Sequence, residues 1–220
     1  MIISHAHRYI FFAIPKTGTH SLRRALRPYM GDQDAEQVAL FEGRALPYPE
    51  IAALKHGHIT AQQIRLVLGD ELFGSYFKFA IVRNPFDRFV SYCAFVSASV
   101  NGSFATTPRA YMKNMLTKVR PFDHILFRPQ SEFVADADGR LIVDFVGRVE
   151  RLQADYDRIC ARIGIPGSEL GRANESSHGD WREYYDDELV ALVSEMYRSD
   201  LELFDYAFDR DPASADRQSA

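Results

Sequence analysis

Two apolar runs in the first half of the chain show the clearest pattern of hydrophobic and polar positions. Residues 9–14 read YIFFAI and residues 76–82 read YFKFAIV, and both are rich in β-branched and aromatic side chains. Continuous apolar runs of this length are typical of buried strands in a parallel sheet. After each run, apolar residues recur three and four positions apart. That spacing predicts amphipathic helices over residues 19–30 and 86–99, and thus two successive strand–loop–helix units.

Residues that start and stop helices mark further elements. Thr60 is a hydroxyl N-cap for a helix that Gly69 ends, and the acidic residues 186–188 suit the positive end of a helix dipole. The other predicted elements are helices over residues 108–119 and 151–163 and a hairpin over residues 133–149. Residues 32–58, 100–107 and 166–183 show no regular pattern.

The alternation of strands and helices predicts an α/β sandwich with a central, mainly parallel sheet flanked by helices. We expect one domain over residues 1–208 and a flexible tail over residues 209–220. The net charge of −4 gives no indication of nucleic-acid binding or of a polybasic membrane anchor, so an anion site has to be local. Cys93 and Cys160 lie in apolar stretches and are expected to be buried free thiols.

The loop after the first strand has the chemistry of a phosphate site. A helix that starts near Thr19 leaves backbone N–H groups unpaired at its positive end, where phosphate oxygens can accept from them. Gly18 allows close approach of the backbone, and Lys16 adds a charge. The alternative is a helix start with hydroxyl caps. A triphosphatase loop requires G-x-x-x-x-G-K-S/T, whereas here the first glycine is missing and the lysine precedes the glycine.

The loop after the second strand offers a second anion ligand. Arg83 lies 67 residues after Lys16, at the end of the second predicted strand. Its planar guanidinium suits a phosphate, and Ser91 follows about two turns into the next helix. Because ligands of α/β folds bind beyond the carboxyl ends of the strands, we expect both loops to face one crevice. Arg88 could face the ligand or make a structural ion pair, and we favour the structural role.

The segment KHGHIT, residues 55–60, is the candidate for acid–base chemistry. His56 and His58 flank a glycine just before a capped helix, and the pKa of histidine suits a general base near neutral pH. The pair could instead bind a metal, although no third cluster of ligands is evident, or form a solvated turn.

These segments together resemble sulfotransferases that use 3′-phosphoadenosine 5′-phosphosulfate (PAPS). IPKTGTHSL, residues 14–22, is similar to the 5′-phosphosulfate loop of the carbohydrate branch, which includes the heparan sulfate 2-O-sulfotransferases; His20 replaces a more usual hydroxyl residue. VRNPFDRFVS, residues 82–91, matches the family's second motif, V-R-N/D-P-x-x-R-x-x-S. The H-G-H segment also occurs in that branch, where its second histidine is the base, while other branches use a glutamate. The resemblance implies a P-loop-like three-layer sandwich.

The resemblance continues through the second half of the chain, to about residue 208. Residues 144–152 resemble a D-x-V-G-R-x-E-x-L segment, and residues 197–206 resemble the family's aromatic ending. Residues 172–177 resemble a loop that tends to close over the cofactor or acceptor. The cofactor-binding residues implied in this way are Pro15, Lys16, Thr17, Gly18, Thr19, His20, Ser21, Arg83, Ser91, Arg172, Asn174 and Ser177. The implied catalytic residues are Lys16, His58 and His56, and no metal is required.

The resemblance implies an enzyme that moves a sulfuryl group from PAPS to a hydroxyl of a carbohydrate or another small acceptor and leaves 3′-phosphoadenosine 5′-phosphate (PAP). The alternatives are a nucleotide-binding module without catalysis and a P-loop kinase. We expect no nucleic-acid partner and no membrane span, and a homodimer is open. The sequence shows no signal peptide or anchor before the first strand, which leads us to expect a cytoplasmic, bacterial enzyme.

Overall fold

The computed structural model of the protein describes residues 1–37, 46–100, 102–171 and 179–209. The described residues form two compact units. The first takes its residues from Met1–Val82 and Gln130–Ala173, and the second from Arg83–Pro129 and Asn174–Ala220. The expected single domain over residues 1–208 stays a prediction, and the tail over residues 209–220 lies almost wholly outside the described residues.

A five-stranded mixed sheet in the first unit forms the centre of the α/β fold. Its strands are β1 (Ile2–Ser4), β2 (Tyr9–Phe12), β3 (Ala35–Glu36), β4 (Phe77–Val82) and β5 (Phe145–Arg148), in the spatial order β3-β1-β2-β4-β5. The pairs β2–β4 and β4–β5 are parallel, whereas β1 is antiparallel to both β2 and β3. The predicted α/β class with a parallel core is therefore confirmed. The sequence analysis missed β1 and β3, which are only three and two residues long.

Eleven α-helices are described. They are α1 (Thr19–Leu26), α2 (Pro49–Ala52), α3 (Ala61–Leu68), α4 (Asp70–Ser75), α5 (Pro85–Val100), α6 (Ser103–Thr106), α7 (Pro108–Asn114), α8 (Ser131–Val134), α9 (Leu152–Ile163), α10 (Asp187–Met196) and α11 (Arg198–Leu203). Further helical turns cover Arg27–Tyr29, Met115–Val119, Val149–Arg151 and Trp181–Tyr184.

Helices α1 and α9 cover one face of the sheet in the first unit. Leu22 and Leu26 of α1 and Ile159 of α9 are buried in one cluster with Phe11 and Phe79, which are register partners on the neighbouring strands β2 and β4 and share a face of the sheet. This packing fixes α1, and with it the loop that precedes α1, against the central strands.

The second unit has its own core, formed by described residues of α5, α7 and α10. Arg88 of α5 is only 1% exposed and donates from Nη2 to the carbonyl oxygens of Leu126 (3.2 Å) and Arg128 (2.7 Å). Its guanidinium also lies 5.6 Å from the centre of the Tyr197 ring. These contacts support the structural role for Arg88.

Local signals placed several helix ends correctly. Thr60 accepts a hydrogen bond from the backbone N–H of Gln63, whose side chain accepts in return from the backbone of Thr60, and α3 ends at Gly69. The Asp186 side chain caps α10 by accepting from the N–H of Leu189. Cys93 and Cys160 are both buried and free, as predicted.

The hairpin predicted over residues 133–149 is confirmed at its turn and is wrong in its extent. Its first half contains α8, and its two halves meet in the single bridge Ala135–Leu141 around a turn in which Gly139 has a φ of +76°. The second half is β5, which pairs with β4 as a parallel strand. The pairing starts at Asp144, whose N–H donates to the Lys78 carbonyl at 2.8 Å. The loop predicted over residues 100–107 also contains a short helix, α6.

Candidate active site

Residues 15–21, which follow β2 and include the first turn of α1, are called the phosphate loop here. Lys16 and Gly18 both adopt left-handed backbone conformations, with φ of +64° and +72°. Such a conformation is uncommon for a lysine, and alternating backbone conformations of this kind form concave sites for anions. Gly18 occupies the N-cap of α1 and has no side chain that could accept from the first amides of the helix. The backbone of the loop therefore fits a phosphate group.

The side chains of the phosphate loop divide into an inner and an outer set. Thr17 is fully buried, and its hydroxyl donates a hydrogen bond to the Ile14 carbonyl at 3.0 Å. This bond holds the loop to the segment that follows β2. Thr19 and Ser21 are also buried. Lys16 is half-buried, and His20 is exposed. Of the predicted ligands in this loop, Lys16 and His20 are thus the more accessible side chains, beside the backbone amides.

The residues around His20 lower its pKa, although the side chain reaches solvent. Partial desolvation of the ring, followed by the positive charges of Arg23 and Lys16, lowers the pKa of His20 below its usual value of 6.5. His20 is therefore largely neutral at pH 7, and as a neutral imidazole it can still donate one hydrogen bond.

His58 is held against the strand end that leads into the phosphate loop. Its Nδ1 lies 2.6 Å from the carbonyl oxygen of Ala13, which directly follows β2. A carbonyl can only accept, so Nδ1 carries the proton and the neutral ring has its lone pair on Nε2. This hydrogen bond therefore prepares Nε2 to accept a proton.

The surroundings of His58 keep its imidazole neutral. Burial is the main cause and lowers its pKa to about 3; the hydrogen bond to Ala13 opposes this, and the positive charges of the Met1 amino group and Arg23 add to it. A basic form of His58 is thus fully available at neutral pH.

Residues 56–58, called the histidine turn here, are fixed by contacts within the first unit. The rings of His56 and His58 are stacked, with centres 6.3 Å apart. The Gly57 carbonyl accepts from the amino group of Met1 (2.9 Å) and from Nη2 of Arg23 (3.3 Å). The Gln37 amide donates to the His56 carbonyl at 3.0 Å. All three residues of the turn therefore have a defined position.

Arg83, in the second unit, directly follows β4 and precedes α5. Its guanidinium makes two parallel bonds to Asp87, from Nε to Oδ2 (2.7 Å) and from Nη2 to Oδ1 (2.6 Å). This bidentate pair fixes the plane of the guanidinium. Ser91 is half-buried on α5. The other predicted ligands, Arg172, Asn174 and Ser177, lie outside the described residues.

Sequence reasoning missed several residues that shape these sites. The pairing of Asp87 with Arg83 could have been predicted. Asp87 lies four positions after Arg83, a spacing at which opposite charges meet on a helix. The contacts of Arg23, Gln37 and the Ala13 carbonyl join segments far apart in the chain, and no local pattern indicates them.

Two kinds of feature are absent from the described ranges. Within residues 1–37, 46–100, 102–171 and 179–209, no group of three or more His, Cys, Asp or Glu side chains is arranged to hold a metal ion. Across the same ranges, no helix combines the length and the apolar character needed to span a membrane.

Comparison with known proteins identifies the family. The sequence profile of the Sulfotransferase family matches residues 1–207, so the chain belongs to the sulfotransferase family. An uncharacterized protein from Archaeoglobus fulgidus is 26% identical over 125 residues, which cover 57% of this chain and 98% of the relative. No solved structure matches the chain significantly.

Family membership confirms the prediction of an enzyme of the PAPS-dependent transferase class. It implies PAPS as the sulfuryl donor and a hydroxyl group as the acceptor. The five-stranded sheet with its parallel core agrees with the P-loop-like fold of this family.

Proposed function

We propose that the protein transfers a sulfuryl group from PAPS to a hydroxyl of a carbohydrate or similar small acceptor, with His58 as the general base. The observation that carries this proposal is the 2.6 Å hydrogen bond from His58 Nδ1 to the Ala13 carbonyl. It ties a neutral imidazole to Ala13, two residues before the phosphate loop, and leaves Nε2 as the basic atom. A base next to a phosphate loop is the arrangement that sulfuryl transfer to an alcohol requires.

The phosphate loop is proposed to hold the 5′-phosphosulfate of the donor. Its backbone amides and the α1 N-terminus bind the phosphate oxygens, and Lys16 stabilises the negative charge that develops on the leaving phosphate. The proposed contacts are Pro15, Lys16, Thr17, Gly18, Thr19, His20 and Ser21. Because the Thr17 proton is already donated to Ile14, we assign Thr17 to the shape of the loop, through its backbone.

Arg83 and Ser91 are proposed to bind the 3′-phosphate, which distinguishes the donor from ATP. Asp87 orients the Arg83 guanidinium through two bonds, which lowers the entropy lost when a phosphate binds. Arg172, Asn174 and Ser177 are proposed as further donor contacts on the strength of the resemblance alone.

The proposed transfer is a single in-line displacement at sulfur. The acceptor oxygen forms a bond to sulfur, its proton passes to His58 Nε2, and the bond between sulfur and the bridging phosphate oxygen breaks. A pKa of about 3 makes His58 a weak base in the free protein. A phosphosulfate anion bound nearby would raise that pKa, because a negative charge favours the imidazolium. His56 is proposed to orient the acceptor or the His58 ring.

Thermal unfolding with nucleotides tests the donor assignment. PAP at a hundred times its dissociation constant should stabilise the protein by roughly 2.7 kcal/mol, whereas AMP and ATP at the same concentration should stabilise it much less. Equal stabilisation by ATP would contradict the 3′-phosphate role of Arg83 and Ser91. It would favour a kinase, which magnesium-dependent ATP turnover would then reveal.

Transfer of radiolabelled sulfate tests the catalytic roles. With desulfated heparin, a chitin oligosaccharide and octyl glucoside as acceptors, Lys16→Ala and His58→Ala should abolish transfer, while His58→Ala keeps PAP binding. The matched controls are Lys118→Ala and His124→Ala, which change exposed residues. Full turnover by His58→Ala would move the base to His56 or to a glutamate. PAP binding without transfer by the wild type would favour a non-catalytic module.

A further inference from the structure

We infer that Arg23 is a positioning residue that ties the helix after the phosphate loop to the histidine turn. The inference rests on the proposed role of His58 as the base. Arg23 lies outside the two family motifs, residues 14–22 and 82–91. Its contacts are with residues distant in the chain.

Arg23 is a buried cation one turn into α1. It is only 3% exposed, although arginine side chains are rarely buried without a specific set of partners. Burial lowers its pKa to about 10, and the charge of Glu36 opposes that fall, so Arg23 stays protonated at neutral pH. Its Nε lies 3.7 Å from the Glu36 carboxylate.

The Arg23 guanidinium reaches the backbone at the centre of the histidine turn. Nη2 donates to the carbonyls of Gly57 (3.3 Å) and Gln37 (3.4 Å). The amino group of Met1 donates to the same two carbonyls. Two donor groups therefore hold the peptide between the two histidines, and one of them, Arg23, is carried by α1. Any shift of the histidine turn relative to the phosphate loop would have to break the bonds to Arg23.

The fit between Arg23 and the histidine turn leaves no spare space. A Cβ built on Gly57 would lie 2.7 Å from Arg23 Nη2 and 2.1 Å from the Gln37 carbonyl oxygen. Both distances are too short for real contacts, so the turn is pressed against the guanidinium. A position this constrained suits a base that has to meet the acceptor within a few tenths of an ångström.

The charge of Arg23 also acts on His58. The titratable groups whose charges act on His58 are the Met1 amino group, Arg23 and His56. All three lower the pKa of His58. Removing Arg23 would therefore loosen the turn and also raise the pKa of His58. A merely structural residue would not be expected to change both the tautomer and the pKa of one imidazole.

The experiment compares Arg23→Met and Arg23→Lys with Arg27→Met. Arg27 is a matched control because it directly follows α1 and binds the same Glu36 carboxylate, at 2.7 Å, with a side chain that is 43% exposed. Imidazole ¹⁵N NMR reads the tautomer and titration of His58, which is assigned with His58→Gln. This readout needs neither donor nor acceptor, so it tests the inference apart from the proposed function.

We expect Arg27→Met to keep the single Nδ1–H tautomer and the low titration of wild-type His58. Arg23→Met should show mixed tautomers and a His58 pKa raised by roughly half a unit or more. PAP binding should stay within about threefold, whereas kcat should fall roughly tenfold to hundredfold with little change in KM for PAPS. Arg23→Lys, which keeps the charge and loses the fork, should retain a low pKa with mixed tautomers.

Wild-type His58 signals in folded Arg23→Met would overturn the inference. If Arg23→Met does not fold, Arg23→Lys decides the question, and a single wild-type tautomer in that variant would equally overturn it. Failure of the proposed function would appear elsewhere, as a wild-type protein that PAP does not stabilise.

Discussion

Replacing Gly57 with alanine tests how tightly the histidine turn is built. The new Cβ would lie 2.1 Å from the Gln37 carbonyl oxygen and 2.9 Å from its carbonyl carbon. These are backbone atoms, which cannot rotate away as the end of a side chain could. A normal carbon–oxygen contact is longer by about 1 Å, so the turn or the segment at Gln37 has to move by that amount.

The cost of this movement follows from overpacking. Forcing an extra methyl into a packed site costs roughly 1–3 kcal/mol. For a chain of this size a loss of about 2 kcal/mol lowers the thermal midpoint by roughly 4–8 °C. A displacement of about 1 Å at His58 would in addition reduce turnover by up to roughly a hundredfold. Gly57→Ala should therefore lose both stability and activity.

Thermal unfolding of Gly57→Ala beside Gly74→Ala measures the effect. Gly74 lies in α4, and a Cβ built there meets no atom within 4 Å. Alanine is the better helix former, so Gly74→Ala should be neutral or stabilising by up to about 1 kcal/mol. Equal midpoints for the two variants would refute the reasoning, because they would mean that the histidine turn yields without cost.

Three further predictions concern other parts of the chain. His58 has a pKa of about 3 in the folded protein and about 6.5 in the unfolded chain, so the unfolded state binds more protons between these pH values. The free energy of unfolding should therefore fall as the pH drops from 6.5 to 3. Urea titrations should show a flatter pH dependence for His58→Gln. Arg88→Met removes the Arg88 donor from the part-buried carbonyls of Leu126 and Arg128 and should cost roughly 2–3 kcal/mol, read from Trp181 fluorescence in urea. An unchanged midpoint would contradict the structural role of Arg88. Thr60→Ala should cost about 1 kcal/mol through loss of the α3 cap while Thr60→Ser keeps most of it, and equal midpoints for the two would count against the cap.

Elements with local signals were predictable from the sequence. Helix α3 carries its start at Thr60 and its stop at Gly69, and the apolar run of β4 is long enough to be recognised. The hairpin prediction failed because the partner of β5 is β4, which lies more than sixty residues earlier in the chain. Strand order depends on such distant pairings, which no local pattern contains. Strands β1 and β3 are too short to show a pattern, and β3 pairs with β1 more than thirty residues earlier in the chain.

The sequence suggested the residues proposed for the site, but it did not suggest the contacts that hold them. The positions of Lys16, Gly18 and His58 follow from their types and spacing, since phosphate binding and proton transfer each require particular side chains. Their orientation depends on hydrogen bonds to backbone carbonyl groups. Every residue has such a group, so the sequence does not indicate which carbonyl accepts the bond. The Ala13 carbonyl that holds His58 and the Ile14 carbonyl that holds Thr17 belong to this class.

These two carbonyls hold His58, the proposed base, and the phosphate loop to neighbouring residues of the first unit. Ala13 and Ile14 are consecutive residues after β2, and one holds the His58 ring while the other holds the hydroxyl of Thr17. Both are completely buried beside the central strands, where tight packing permits little movement. The distance between the base and the loop is therefore set by one rigid peptide rather than by two flexible side chains. Burial that rigidifies the base also lowers its pKa, so a catalytic His58 would depend on the charge of the bound donor to regain proton affinity.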